Sequence, residues 1–329
     1  MRAVTITTSG NPDVLQIAER PEVKPETWEV LVKVEAFGIN RADVLQRKGL
    51  YPPPPGVPAD IPGLEFAGIV EAVGKAVSLF RPGDRVFGLV GGGSYQERLC
   101  QHELALLPIP QNLSIEEAAA IPEAFITAFD ALVLQAGLKH SDRVLISAVG
   151  SGVGMAAAQL ALAFQCRVAG SSRSSEKLER AASFLGQPQS QFLPVLVEDG
   201  TFAKKISTAF GAIDVFLELV GGAYVEEDLK CAASKATIML VGLLAGAKSQ
   251  ISLNQILARR IRVIGTTLRS RSLDEKIQVT QAFGKQILPL FHQGLLRPNL
   301  DSVFGVEEIA QAHAVMEADK NCGKLVVKW

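Results

Sequence analysis

Residues 144–164 read VLISAVGSGVGMAAAQLALAF, and this stretch decides the fold. Four residues of a short apolar strand run into a glycine-rich turn, and a helix of small residues follows. No charge occurs between Arg143 and Arg167, so the segment has the length of a membrane span, which needs about 20 apolar residues. A strand and a glycine turn would leave their backbone polar groups unsatisfied in lipid. The segment is therefore expected to be a buried strand–turn–helix, and no membrane partner is expected.

The eight residues Ser147-Ala-Val-Gly-Ser-Gly-Val-Gly154 lie directly after the strand and directly before the helix. That is the setting of a dinucleotide-binding turn. Small residues let the backbone approach a pyrophosphate, and the helix N-terminus offers unpaired N–H groups and the positive end of its dipole. Gly150 and Gly152 fit the G-x-G-x-x-G pattern, whereas its third position is Met155. About 20 residues past such glycines an NAD site carries Asp or Glu for the ribose hydroxyls. Here no acid occurs between Asp142 and Glu176, and Ser171, Ser172, Arg173 and Lys177 offer hydroxyls and cations instead. Arginine binds phosphate bidentately, so the expected cofactor is NADPH.

Outward from this turn the pattern has two characters. Before residue 114, apolar and polar residues alternate in short runs, as at 30–36, 66–73 and 84–90, separated by turns such as Arg81-Pro82-Gly83. Such a series predicts a small barrel or sandwich. From Ser114, an N-cap followed by Glu116 and Glu117, a helix is expected. Strands at 144–147, 167–170, 213–217, 237–241 and 261–264 then alternate with helices at 152–164 and 175–185, the signature of a parallel sheet covered on both faces. The tail predicts a long helix at 273–291, a strand at 302–304, a helix at 306–316 and a last strand at 324–328. The fold class is α/β, a mostly-β domain plus a doubly wound parallel-sheet domain.

The 329 residues suit two domains, and 48% hydrophobic residues suffice for two cores. A net charge of -1 with no basic cluster argues against a nucleic-acid partner. Cys100, Cys166, Cys231 and Cys322 are scattered, without a CxxC, and the first fifteen residues lack the apolar stretch of a signal peptide. Free thiols and a cytoplasmic location are expected.

Several longer stretches resemble one family. NRADVLQRKGLYPPP (40–54), PGLEFAGIVEAVG (62–74), AIPEAFITAF (120–129), LRSR (268–271) and GKLVV (323–327) are similar to stretches of the quinone oxidoreductases, zinc-free medium-chain dehydrogenases/reductases. IPEA, LRSR and the Ser-Gly-Val-Gly turn look most like the p53-inducible branch. The resemblance implies a GroES-like catalytic domain over 1–121 and 267–329, a Rossmann NADPH-binding domain over 122–266, and an active cleft between the two. It also implies roles. Asn40 and Tyr51 line the substrate side of the nicotinamide and Thr127 contacts its face. Ser151, Gly152, Val153 and Gly154 hold the pyrophosphate, Lys177 reaches the 2′-phosphate, and Gly242 and Leu243 lie along the nicotinamide. One departure stands out, since QPQSQFLP (187–194) replaces a stretch in which such relatives carry a tyrosine beside the adenosine phosphate.

Zinc-dependent relatives need a Cys near position 40 and a His before the conserved Glu; FGINRAD (37–43) and GLE (63–65) supply neither. A zinc site takes three or four N, S or O ligands, so no metal is expected. Without a Lewis acid nothing lowers the pKa of an alcohol, whereas quinones accept reducing equivalents readily. Three readings follow. The first is an NADPH-dependent quinone reductase, with ortho-quinones as the expected substrates and Tyr51 or solvent hydrogen-bonding the oxyanion. The second is an enone or enoyl reductase with Tyr51 as proton donor, and the third an NADPH-binding redox-sensing or structural protein with little turnover. A homodimer is expected through the sheet edge formed by residues 237–241 or 261–264.

Overall fold

The computed structural model describes residues 1–329, all of the chain. The chain divides into two compact units, Met1–Ile126 with Leu268–Trp329, and Thr127–Thr267. The divisions fall at 126/127 and 267/268, against the expected 121/122 and 266/267.

In the first unit the strand Glu29–Ile39 organises the sheet. Along one side it pairs antiparallel with Glu65–Val73. On the other it pairs with Arg98–His102 through its first half and with Lys324–Lys328 through its last four residues. Arg85–Leu89 and Leu106–Pro108 extend the sheet at one end, and Leu300–Gly305 lies parallel to Lys324–Lys328 at the other. Two register shifts, between Leu31 and Val32 and between Val34 and Ala36, bend the central strand. Alternate residues Val30, Val32 and Val34, with Phe37, Phe66, Val86, Leu325 and Val327, form the core on one side of this curved sheet. The period-2 pattern at 30–36 announced that burial.

The second unit is a six-stranded parallel sheet in the order Phe192–Leu196, Arg167–Ser172, Arg143–Ile146, Ile213–Glu218, Ala232–Leu240, Arg262–Gly265. By chain position this order is 3-2-1-4-5-6, the doubly wound arrangement, which reverses beside its first strand. The charge-free stretch resolves into Arg143–Ile146, the turn and the helix Gly152–Ala163. No helix is long and apolar enough to cross a membrane.

The expectations need three corrections. The strand Phe192–Leu196 was not foreseen. It carries Pro194, and proline is tolerated there because the strand lies at the sheet edge, where an N–H can go unpaired. Residues 237–241 are not an edge, because Ala232–Leu240 has a hydrogen-bonded neighbour on either side; the edge strand is Arg262–Gly265. The expected helix at 273–291 breaks at Ile287 into Leu273–Gln286 and Leu288–His292, with Pro289 in the first turn of the second. The helix expected from the Ser114 cap is present as Ile115–Ala119, closed at its start by a reciprocal Ser114–Glu117 capping box. Beyond it the chain winds as wider π-helical turns, Pro122–Ile126 and Asp130–Gln135, on either side of Thr127–Phe129.

Candidate active site

In the parallel-sheet unit the proposed cofactor residues gather at the carboxyl ends of neighbouring strands. Ser151, Gly152, Val153 and Gly154 follow Arg143–Ile146. Ser172 ends Arg167–Ser172, and Arg173 and Lys177 come directly after it. Gly242 and Leu243 follow Ala232–Leu240. Open α/β sheets bind ligands at this end, beside the strand where the order reverses.

The turn is built for close approach. Ala148 adopts a left-handed backbone (φ 48°), a strained state for a residue with a Cβ. A side chain on Gly154 would come within 2.6 Å of the Ala148 carbonyl oxygen, so the helix packs against the turn as only glycine allows. The Ser151 hydroxyl accepts from the Gly154 N–H at 3.1 Å, which leaves the N–H groups of Gly152 and Val153 pointing out of the helix end. Two hydroxyls in this unit, Thr127 Oγ1 and Ser171 Oγ, are buried without a hydrogen-bond partner. Buried polar groups are rarely left so, and a polar ligand would satisfy them. Arg173 is exposed and Lys177 half-buried. The residues present therefore fit a dinucleotide.

Beneath the turn lies a carboxyl pair that the sequence reading passed over. Glu218 and Asp228 are both fully buried. Glu218 accepts the N–H groups of Val220 at 2.5 Å and Gly221 at 2.7 Å. Burial, then the Glu218 charge beside it, pushes Asp228 far above the usual carboxyl range. Its signal was the acid at the end of the apolar run IDVFLE.

In the first unit, Asn40 caps the helix Arg41–Arg47, and Tyr51 follows that helix by four residues. Asn40 is held at three points. Its N–H donates to Asp43 Oδ2 at 2.8 Å, its Nδ2 donates to Glu65 Oε1 at 2.9 Å, and its Oδ1 accepts from Lys324 Nζ at 2.6 Å. Lys324 also forms an ion pair with Glu65 and donates to the Ile39 carbonyl at 3.2 Å. Glu65 is fully buried and Lys324 is 4% exposed. The other Glu65 oxygen accepts from the Glu123 N–H at 2.8 Å. Gly38 is required here, since a Cβ would meet Glu65 Oε1 at 2.1 Å. Burial, reinforced by Glu65, pushes the Glu123 carboxyl up to about 8.

A second buried chain runs from the same helix. Asp43 accepts from the Gly63 N–H and from the Tyr95 hydroxyl, each at 3.1 Å, and burial pushes it up to about 6. Tyr95 Oη lies 3.2 Å from His313 Nε2. The fully buried Arg47 reaches His313 Nδ1 at 3.5 Å and pairs with Glu317. Burial, then Arg47, pulls the imidazole down to about 3, so it is neutral at physiological pH. His313 is thus a core histidine.

Tyr51 is half-buried, and Arg269 lies with its guanidinium carbon 4.7 Å from the ring centre. Arg269 also donates to the Tyr51 carbonyl at 3.1 Å. The sequence reading used Arg269 only as part of the LRSR stretch. No group of three or more His, Cys, Asp or Glu side chains is arranged to hold a metal ion.

A Rossmann-type order with a nucleotide-shaped turn, inserted into a curved β unit that holds a fixed Asn and Tyr, defines a class of two-domain nicotinamide-dependent oxidoreductases. Comparisons narrow it. Residues 26–111 match the alcohol dehydrogenase GroES-like domain, and residues 152–283 match the family described as zinc-binding dehydrogenase. The quinone oxidoreductase of Lama guanicoe is 31% identical, covering 99% of this chain and 97% of its own. Among solved structures, an NAD-dependent alcohol dehydrogenase is 30% identical over the whole of both chains with a TM-score of 0.86. A quinone oxidoreductase of Pseudomonas syringae pv. Tomato is 26% identical, covering 100% of this chain and 99% of its own, with a TM-score of 0.85. The chain belongs to the medium-chain dehydrogenase/reductase family, with the GroES-like and Rossmann domains of that family.

Proposed function

We propose that the protein reduces quinones, ortho-quinones among them, at the expense of NADPH and without a metal. The observation that carries this reading is the strand-end cluster of the parallel sheet. A close-packed turn there lies beside Ser172, Arg173 and Lys177, with no acid at the ribose position. The quinone oxidoreductase relatives support the choice of acceptor.

Bound NADPH supplies the reducing equivalents. The N–H groups of Gly152 and Val153 and the Ser151 cap hold the pyrophosphate, with Gly154 allowing the approach. Ser172, Arg173 and Lys177 take the 2′-phosphate, and Gly242 and Leu243 lie along the nicotinamide. The unpartnered Thr127 hydroxyl donates to the nicotinamide. Tyr51 donates a hydrogen bond to the acceptor oxygen as negative charge arrives on it, and Asn40, fixed by Glu65 and Lys324, walls the acceptor side. On this reading the electrostatic help comes from side chains and not from a metal.

The test is oxidation of NADPH, with NADH in parallel, using an ortho-quinone and a simple enone. Rapid turnover of the quinone with NADPH preferred supports the proposal. Replacing both Arg173 and Lys177 by alanine should erase the preference, with KM for NADPH rising about 10- to 100-fold as charge-assisted bonds to phosphate are lost. Equal rates with both nucleotides in the parent protein would overturn the phosphate assignment.

A second reading, enone reduction, is favoured by the Tyr51 hydroxyl, for which the protein offers no hydrogen-bond partner. If Tyr51 protonates carbon, Tyr51→Phe should cut the enone rate by about one to three powers of ten. An unchanged rate would remove that role. Homodimerisation is proposed through the edge strand Arg262–Gly265, beside which the helix Leu253–Arg259 exposes Leu253 and Leu257. A monomer by light scattering would refute it.

A further inference from the structure

Arg269 is 5% exposed, yet no carboxylate pairs with it. Its Nε donates to the Gly91 carbonyl at 3.0 Å, Nη1 to the Tyr51 carbonyl at 3.1 Å and Nη2 to Gln46 Oε1. All three acceptors are neutral. Lys276 stands beside it in the same condition, its ammonium donating to the carbonyls of Arg269 at 3.0 Å and Arg271 at 2.8 Å. The carboxyls that act on Arg269 are Asp43 and Glu123. Burial holds Glu123 up to about 8, so it is largely protonated at neutral pH; Asp43, held up to about 6, is mostly ionised there, but its oxygens are taken by Asn40, Gly63 and Tyr95. Buried cations are ordinarily paired. This one is stacked on a tyrosine face, an arrangement that suits a planar guanidinium better than an ammonium.

We propose that Arg269 is the positioning residue for Tyr51. Its planar fork fixes the tyrosine by ring face and by backbone carbonyl, and its charge, bonded to no carboxylate and reinforced by Lys276, favours electron density arriving on the acceptor oxygen that Tyr51 serves. The second half of this inference rests on Tyr51 serving the acceptor; the first half, the clamp, does not.

The chain has three tyrosines, Tyr51, Tyr95 and Tyr224, so protein labelled with 3-fluorotyrosine gives one fluorine NMR line for each. Tyr51→Phe assigns the Tyr51 line. In Arg269→Met that line should move and narrow, while the lines of the buried Tyr95 and Tyr224 keep their positions and show the fold intact. With the quinone, kcat should fall about 10- to 100-fold, the size expected of a misplaced group, and NADPH affinity measured by its fluorescence should not change. Arg269→Lys, which keeps the charge and loses the planar fork, should recover part of kcat but not the line position. An unmoved Tyr51 line in Arg269→Met overturns the clamp. A moved line with an unchanged kcat overturns the electrostatic role. If Arg269→Met disturbs the Tyr95 line as well, the same two readings are taken from Arg269→Gln. Should the parent protein turn over neither acceptor, the assigned activity fails, and the fluorine lines still decide the clamp.

Discussion

The parallel-sheet unit buries acids but no cation, whereas the curved β unit buries both signs. In the former, Glu227 accepts from the N–H groups of Phe202 and Ala203, and Glu218 from those of Val220 and Gly221. These carboxyls satisfy backbone donors. In the latter, Glu65, Lys324, Arg47 and Arg269 act on side chains, namely Asn40, His313 and Tyr51. One unit shapes its site from the backbone and the ends of helices, and the other from fixed side-chain charge. The first kind of site should tolerate loss of a buried charge far better than the second.

The largest expected break in that contrast is Lys324→Met. It leaves the Glu65 carboxylate buried without its cation, which costs about 3–5 kcal/mol, and it removes one of the three anchors of Asn40. Chemical denaturation should show that loss, and adding Glu65→Leu to Lys324→Met should recover a good part of it. A double variant no more stable than the single one would mean that the pair is not the source.

A smaller effect concerns His313. Its folded pKa of about 3 lies below the ordinary 6.5, so below pH 6.5 the unfolded chain binds a proton that the folded protein refuses. Stability from this group is complete above 6.5 and is lost as pH falls from 6.5 towards 3. Asp43 and Glu123, whose folded pKa values are raised, act in the opposite sense over the carboxylate range. The comparison is therefore between the parent and His313→Gln, whose difference in denaturation midpoint should change steadily between pH 6.5 and 4. A constant difference would show that His313 is already charged in the fold.

The smallest effect is expected in the parallel-sheet unit. Burial and Glu218 both disfavour a charge on Asp228, so the neutral Asp228→Asn should cost less than about 1 kcal/mol, within the range of a single hydrogen bond. A loss as large as that of Lys324→Met would abolish the contrast between the units.

Much of the fold was legible because periodicity reports burial. The alternation at 30–36 gave the core face of the central strand, and the charge-free run at 144–164 gave the first strand, turn and helix of the parallel sheet. Phe192–Leu196 was missed because its proline argues against a strand unless the strand is known to lie at an edge. The glycine turn was legible because its signal is local, a few small residues between a strand and a helix. The partners of Asn40 and Tyr51 were not, because Lys324 and Arg269 come from positions 284 and 218 residues away. No local pattern marks such a pair.

The pairing of Lys324–Lys328 with residues 36–39 also sets an order in time. As the chain is made, residues 29–39 emerge early and must wait for the strand that closes the last part of their edge. The same strand brings Lys324, so Glu65 waits for its cation over the same interval. Every strand pair of the parallel sheet lies within 143–265, so that unit can complete its sheet while its host is still open. The newborn chain can thus hold a finished parallel sheet while the curved β unit still presents an unpaired edge.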